Sequence, residues 1–85
     1  MENAIQNATI SLIKRFRGRL DDDCLNDYQS TAEHGEGGVA FENLCDQLFE
    51  FDIFLSQQEF QTICEVGESM KIDRQRWSFL APQKN

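Results

Sequence analysis

Residues 38–51 read GVAFENLCDQLFEF, and the spacing of their apolar side chains decides the class of fold. Apolar residues that recur every three or four positions share one face of an α-helix. The residues that do so here are Phe41, Leu44, Cys45, Leu48 and Phe51. We expect this segment to be the third helix of the chain and to bury that face.

The segment before it shows the same periodicity. Helix one is predicted from about Asn3 to Arg17, with Gly18 as the residue that ends it. Its predicted inner face consists of Ile5, Ala8, Thr9, Leu12, Ile13 and Phe16. Helix two is expected to begin in the run Asp21-Asp22-Asp23, because Asp is a good N-cap, and to end at His34-Gly35. Its inward residues are Cys24, Leu25, Tyr28 and Ala32.

The segment after it continues the helical pattern. Ser56-Gln57-Gln58-Glu59 forms a capping box that predicts the start of helix four. A short fifth helix starting at Asp73 would carry Trp77 and Leu80 back onto the core. We expect the tail from Pro82 to Asn85 to be frayed. The 85 residues thus predict one all-α domain, residues 1–85, a single small bundle of four to five short helices.

Charge is segregated along the chain. Residues 20–70 hold thirteen Asp and Glu and no Lys or Arg, a formal charge of −13 with His neutral. The basic residues form two groups, Lys14, Arg15, Arg17 and Arg19 near the start and Lys71, Arg74, Arg76 and Lys84 near the end. A negative field of this kind repels nucleic acid and anionic membranes and attracts a cationic surface. We therefore expect neither nucleic acid nor a membrane as the partner.

The chemistry-bearing residues do not form a recognised catalytic or metal-binding pattern. Cys24, Cys45 and Cys64 lie about twenty residues apart, which is typical of reduced, buried thiols in a cytosolic protein. His34, the single histidine, has no nucleophile motif around it and is interpreted as the end of helix two. The sequence predicts no enzyme activity, no metal, no cofactor and no small-molecule substrate.

Targeting signals are not expected either. No run of eighteen apolar residues predicts a membrane helix. The first sixteen residues place their charges after the apolar part and show no cleavage site, so a secretory signal is not predicted. The expected location is the cytoplasm.

The acidic face of helix three is expected to face water or a partner, and a protein-binding surface is the candidate site taken from it. Glu42, Asp46 and Glu50 lie at i, i+4 and i+8 of helix three and form an acidic ridge that no lysine of the helix offsets. Aromatic rings among acids are typical of protein interfaces, and Tyr28, Phe49 and Phe54 are such rings. The predicted partner-binding residues are Asp21, Asp22, Asp23, Asp27, Tyr28, Glu36, Glu42, Asp46, Phe49 and Glu50.

Part of the chain resembles a known family. Residues 33–53, EHGEGGVAFENLCDQLFEFDI, are similar to the signature segment of MafI-family immunity proteins, with a pattern close to EHGE-x-G-x-A-x-E-x-LCDQL-x-E-x-D-I. Ser56-Gln57-Gln58-Glu59 and Gly67-Glu68-Ser69-Met70 resemble the next segment, so the resemblance covers about residues 20–77. The family usually has an apolar-proline pair where this chain has Phe54-Leu55.

The resemblance implies a function. It points to an immunity protein, as in contact-dependent growth inhibition, that binds the C-terminal domain of a Maf-type or related polymorphic toxin in a one-to-one complex. Several such toxins are RNases, including EndoU-like ones. Acidic side chains would meet the basic cleft with which a nuclease holds its polyanionic substrate.

Three alternatives remain open from the residues alone. The chain fits an acidic adaptor or nucleic-acid mimic that inhibits another basic nucleic-acid-binding protein. It also fits an acid-rich small enzyme or metal binder, or a structural subunit of a homo-oligomer. Binding to one partner or to several, heat released with divalent ions, and sedimentation behaviour would distinguish these alternatives.

Overall fold

The computed structural model describes residues 4–82, and within that range the chain is all-α with no β-strand. The prediction of a small helical bundle is confirmed. The elements are α1 (Ala4–Lys14), α2 (Asp22–Glu33), α3 (Gly37–Glu50) and α4 (Gln57–Ser69), followed by two 3₁₀ turns, Arg74–Arg76 and Ser78–Leu80. None of these helices is long and apolar enough to cross a lipid bilayer.

The predicted helix starts are confirmed by their capping bonds. Asp21 is the N-cap of α2, where its Oδ2 accepts a hydrogen bond from the Cys24 backbone N–H at 3.2 Å. Ser56 and Glu59 form the reciprocal capping box of α4, with bonds of 3.0 and 3.1 Å. These bonds satisfy backbone donors that the first turn of a helix leaves without partners.

One core unites the elements. α1 packs against α2, α3 and α4, and α3 packs against α2 and the second 3₁₀ turn. The largest fully buried side chains are those of Trp77, Phe16, Phe41, Leu12, Ile13, Leu25, Leu44, Leu48 and Ile63. Among the thiols, Cys45 is buried while Cys24 and Cys64 are only half-buried, and all three are free. Burial raises the pKa of Cys45 to about 12.

Helix α1 differs from its prediction. It ends at Lys14 and not at Arg17, because the chain tightens there: the Arg15 N–H bonds the Leu12 carbonyl at 3.1 Å. Gly18, with a φ of +88°, serves the later turn toward Leu20. Two residues of the predicted inner face, Ile5 and Ala8, are exposed, and they line an open groove between α1 and α4. The predicted start at Asn3 lies outside the described residues.

The C-terminal segment returns to the core without forming a fifth α-helix. Two 3₁₀ turns replace the predicted helix, and they bury Trp77 and Leu80 as expected. The Trp77 indole lies on Gly67 of α4, where an added Cβ would come within 2.8 Å of the Trp77 Cδ1. The glycine therefore permits the close approach of the ring. The prediction for residues 83–85 lies outside the described part of the chain.

Three helices end in the same backbone motif. After α2, α3 and α4 the chain makes the paired hydrogen bonds of a Schellman motif, with a left-handed residue just past the helix. The residues with that positive φ are Gly35 (+89°), Asp52 (+54°) and Lys71 (+58°). The same backbone position is thus occupied by a glycine after α2, an acid after α3 and a base after α4.

Candidate protein interaction surface

The aspartates that begin α2 have unequal surroundings. All of Asp21, Asp22 and Asp23 are exposed, but Asp21 is occupied as the N-cap. Asp22 lies 3.4 Å from Arg17 Nη1 in an ion pair that water reaches freely. Asp23 makes no ion pair in residues 4–82. The positive end of the helix dipole stabilises the whole run locally, so its charge alone does not demonstrate a binding role.

The acidic ridge of α3 is partly compensated, contrary to the prediction. Glu42 Oε1 lies 2.7 Å from Arg76 Nη2, and this contact, more than any other, raises the pKa of the Arg76 guanidinium. Asp46 adds to that rise. The sequence pattern missed the pair because Arg76 comes 34 residues later, on a segment whose path depends on Trp77. Glu50 remains exposed and outside any ion pair of the described chain.

Acids of α2 and α3 come together around Tyr28. Burial, together with the neighbouring Cys24 thiol, Asp27 and Asp46, raises the pKa of Tyr28 to about 12. Asp27 of α2 and Asp46 of α3 are both exposed, and both act electrostatically on the Tyr28 hydroxyl. Tyr28 itself is only 7% exposed. It packs in the core, as its place on the inward side of helix two predicted, and its ring offers a partner little surface; its selection as an anchor stays a prediction.

Aromatic rings accumulate at the C-terminal end of α3. Phe49 is 64% exposed, and its ring meets that of Phe79 edge-on with centroids 5.1 Å apart. With Phe54, which is 79% exposed, they line a groove of about 450 Å³ that also includes Asp52 and Ile53. Phe49 was selected from the sequence as a possible anchor, and that role stays a prediction.

Phe51 extends this surface toward α2. The helical pattern predicted it as a core residue, yet it is 58% exposed. Helix α3 ends just before it, so the three-and-four spacing no longer controls where the ring points. Phe51 lines a second groove with Asp21, Cys24 and Ile53, and Ile53 borders both grooves. The aromatic rings and the start of α2 therefore belong to one surface.

The predicted site residues are not all neighbours. Glu36 lies at the N-cap position of α3, with no capping bond from its side chain. A helix of 14 residues is about 20 Å long, so Glu36 is separated by that length from Glu50 and Phe49. Phe79 was missed altogether, because its closeness to Phe49 depends on the return of the C-terminal segment.

Metal-ligating side chains do not gather within residues 4–82. No group of three or more His, Cys, Asp and Glu side chains there is placed to hold a metal ion. His34 is exposed at the C-cap of α2, as predicted, with its Nδ1 2.7 Å from the Ser30 carbonyl oxygen. The predicted absence of metal and cofactor stays a prediction.

The site surface thus joins carboxylates of α2 and α3 to a group of open phenylalanine rings. Comparison with known proteins adds no identity to this geometry: no family model, curated protein or solved structure matches the chain.

Proposed function

We propose that this chain is a cytoplasmic immunity protein that binds the nuclease domain of a polymorphic toxin and blocks it in a one-to-one complex. The observation that carries the proposal is the surface formed by Asp27, Asp46, Glu50 and the rings of Phe49 and Phe54. Its acids lie outside any ion pair of the described chain, and its rings are open. The resemblance of residues 33–53 to MafI-family proteins supports the same function.

The electrostatics favour a basic nuclease as the partner. A nuclease holds a polyanion and so has a cationic cleft, and carboxylates can occupy the positions of phosphates there. Residues 20–70 carry no Lys or Arg that would oppose the approach of such a cleft. Steering of this kind raises association rates toward roughly 10⁸ M⁻¹s⁻¹ at low salt. The interface should be of ordinary size, about 1,200–2,000 Å² in total.

The test combines binding with survival. The chain is co-expressed with the C-terminal domain of a large secreted protein from a neighbouring gene, should one be encoded there, and growth and complex formation are scored together. We expect a one-to-one complex and rescue of growth. A toxic domain that this chain neither binds nor neutralises would overturn the proposal.

Charge reversal tests the surface with a matched control. The variant Asp27→Lys, Asp46→Lys, Glu50→Lys changes exposed acids on α2 and α3 and is expected to lose binding and rescue. The control variant Glu33→Lys, Glu65→Lys, Glu68→Lys changes the net charge equally at exposed positions outside the surface. It is expected to keep both. Equal behaviour of the two variants would show that net charge, and not this surface, governs binding.

A second function is supported by the same charge segregation. An acidic adaptor or nucleic-acid mimic would inhibit some other basic nucleic-acid-binding protein. Such a mimic meets several basic partners, whereas an immunity protein selects one toxin domain. Binding of the immobilised chain to a panel of basic nucleic-acid-binding proteins distinguishes them: tight binding to one toxin domain supports immunity, and similar binding across the panel supports the mimic.

A further inference from the structure

The C-terminal end of α3 combines three features that do not favour stability. Its rings are open, with Phe54 79%, Phe49 64% and Phe79 43% exposed. A Phe side chain offers roughly 150–250 Å², so several hundred Å² of ring surface face solvent around one groove. That is the size of the largest apolar patch on an ordinary monomer, about 300–600 Å², which is often functional.

The second feature is the charge at this end. The last turn of α3 contains no basic residue, while Glu50 ends the helix and Asp52 follows it. Carboxylates at a helix C-terminus oppose the helix dipole, where a cation would be stabilising. Within residues 4–82 no ion pair holds either carboxylate.

The third feature is the backbone at Asp52. Its φ of +54° is a conformation for which glycine or asparagine is the usual choice. α2 has Gly35 at the equivalent position, and α4 has a cation, Lys71. Aspartate tolerates this backbone better than most residues do, so the conflict lies in its charge against the helix dipole and in the open rings beside it. Such local conflicts are typical of functional sites.

We propose that this end of α3 is the anchor site for an arginine or lysine side chain of the nuclease toxin domain. A cation placed there would lie over the Phe49 or Phe54 ring, pair with Asp52, and face the last carbonyls of α3. The chain already uses this chemistry internally, since the Arg19 guanidinium lies 4.6 Å from the centroid of the Phe16 ring. The inference rests on the proposed function and names the contact at its centre.

A second copy of the chain is the rival occupant, and charge opposes it. A two-fold interface buries the same patch of both copies, so it would bring the Glu50 and Asp52 carboxylates of both chains into one contact between chains of net charge −7 each. An arginine-bearing toxin surface removes that repulsion and supplies a cation to a helix end whose own last turn has no basic residue. The nearby Arg19 guanidinium is already engaged by Glu59 and by the Phe54 carbonyl oxygen. The observations therefore favour the toxin domain.

The test measures the affinity of the full chain for a catalytically inactive form of the toxin domain that it neutralises. Phe54→Ala changes the most exposed ring and should weaken binding roughly 30-fold or more, the loss typical of an interface hot spot. Asp52→Asn keeps a residue that tolerates the left-handed backbone and removes the charge, and it should weaken binding roughly tenfold, with a smaller salt dependence. Circular dichroism confirms that each variant is folded.

The controls lie away from the patch. Val39→Ala shortens a side chain that is 48% exposed on the first half of α3, and Glu65→Gln removes an exposed acid of α4. Both should change the affinity less than about twofold. If Phe54→Ala and Asp52→Asn also stay within twofold while the unmodified chain binds tightly, the anchor site is wrong and the proposed function stands.

Two other outcomes overturn the inference in different ways. If the unmodified chain does not bind the toxin domain, the proposed function fails and the anchor site fails with it. If sedimentation shows a dimer that Phe54→Ala converts to a monomer, a second copy occupies the patch. A monomeric chain whose toxin binding depends on Phe54 and Asp52 supports the anchor site.

Discussion

Helices α3 and α4 end in the same Schellman motif and use it in opposite ways. After α4, Lys71 provides a cation at the negative end of the helix, and the chain goes on to bury Trp77 against Gly67. After α3, Asp52 places an acid there, and Phe54 follows with 79% of its surface open. The backbone is alike and the side chains differ in charge and burial.

The contrast separates residues that stabilise the fold from residues left available to a partner. At the α4 end, the cation of Lys71 is favourable for the helix dipole, and the burial of Trp77 removes apolar surface from water. The α3 end has neither feature within the isolated chain. A bound partner that places a cation at the α3 end and covers its rings would stabilise the helix dipole and bury the apolar surface there. The α3 end would then resemble the α4 end in charge and burial, but only in the complex. Substitutions that disturb the Trp77 contact at the α4 end should therefore lower the free energy of unfolding more than substitutions at the α3 end.

The largest expected effect comes from Trp77→Ala. The indole is 1% exposed and packs against Gly67 and Phe60. Its loss should lower the free energy of unfolding by about 3–5 kcal/mol, a large share of the total for a domain of this size. Urea denaturation measures the change. Phe79→Ala, two residues later but 43% exposed, should cost about 1 kcal/mol or less; equal losses would refute the contrast between the two aromatic contacts.

The next effect is expected from Gly67→Ala. A methyl group there meets the indole of Trp77, and such overpacking costs about 1–3 kcal/mol. The higher helix propensity of alanine, worth about 1 kcal/mol, offsets part of that loss. In a Trp77→Ala background the obstruction is gone, so the same substitution should become neutral or stabilising. A cycle of the two variants in urea checks the reversal, and additive losses would contradict the proposed contact.

A smaller effect distinguishes the two helix ends directly. Asp52→Gly relieves a positive φ and removes an acid from the α3 end, so it should stabilise the fold by about 0.5–1 kcal/mol. Lys71→Gly relieves the same kind of φ at the α4 end but removes a favourable cation, so its net change should be near zero. Thermal unfolding at neutral pH measures both. Equal stabilisation by the two variants would mean that the charges at these ends do not matter.

The smallest effect concerns a paired acid at the start of α4. A hydrogen bond from Arg19, more than any other cause, holds the pKa of Glu59 below its ordinary value. Because the folded-state pKa is the lower one, this contribution is complete above the unfolded value of about 4.3 and is lost as the pH falls through the folded one. Glu59→Gln keeps the capping box and should cost about 0.5 kcal/mol at pH 7, since water screens the 37%-exposed Arg19 side chain.

The matched control for that pair is Glu65→Gln, which removes an exposed acid of the same helix. Its stability should follow that of the unmodified chain at every pH. Urea titrations at pH 7 and about pH 3 measure all three proteins. The Glu59→Gln difference should shrink at the lower pH, because the stabilisation falls as the carboxyl group of the folded chain becomes protonated. A difference that stays undiminished there would assign the loss to packing.

The helices themselves were predictable because their signals are local. The apolar spacing of Phe41, Leu44 and Leu48 and the caps at Asp21 and Ser56 depend on residues within one or two turns. The residues at which the helices end were harder to predict, as Phe51 illustrates. Periodicity assigns it to the core, but a helix that stops one residue earlier leaves its ring in solvent.

The candidate site was predictable only in part. The acids of α2 and α3 and the ring of Phe49 could be selected from charge and composition. The residues that contact them could not be predicted. Arg76 pairs with Glu42 and Phe79 packs against Phe49, each from a segment about thirty residues away in sequence. Tyr28 was predicted on the inward side of helix two and also selected as a possible anchor; its burial confirms the first prediction, and the second stays a prediction.

The amino-acid sequence by itself determined that this protein is all-α, where α2, α3 and α4 begin, and that its middle section is uniformly acidic. Those properties follow from hydrogen bonds, side-chain spacing and charge within short stretches of chain. The tertiary structure alone decided which acids are neutralised, which rings are buried, and that Asp52 lies beside three open phenylalanines. These depend on how the C-terminal segment folds back over Gly67, a long-range packing choice that no short stretch of sequence encodes.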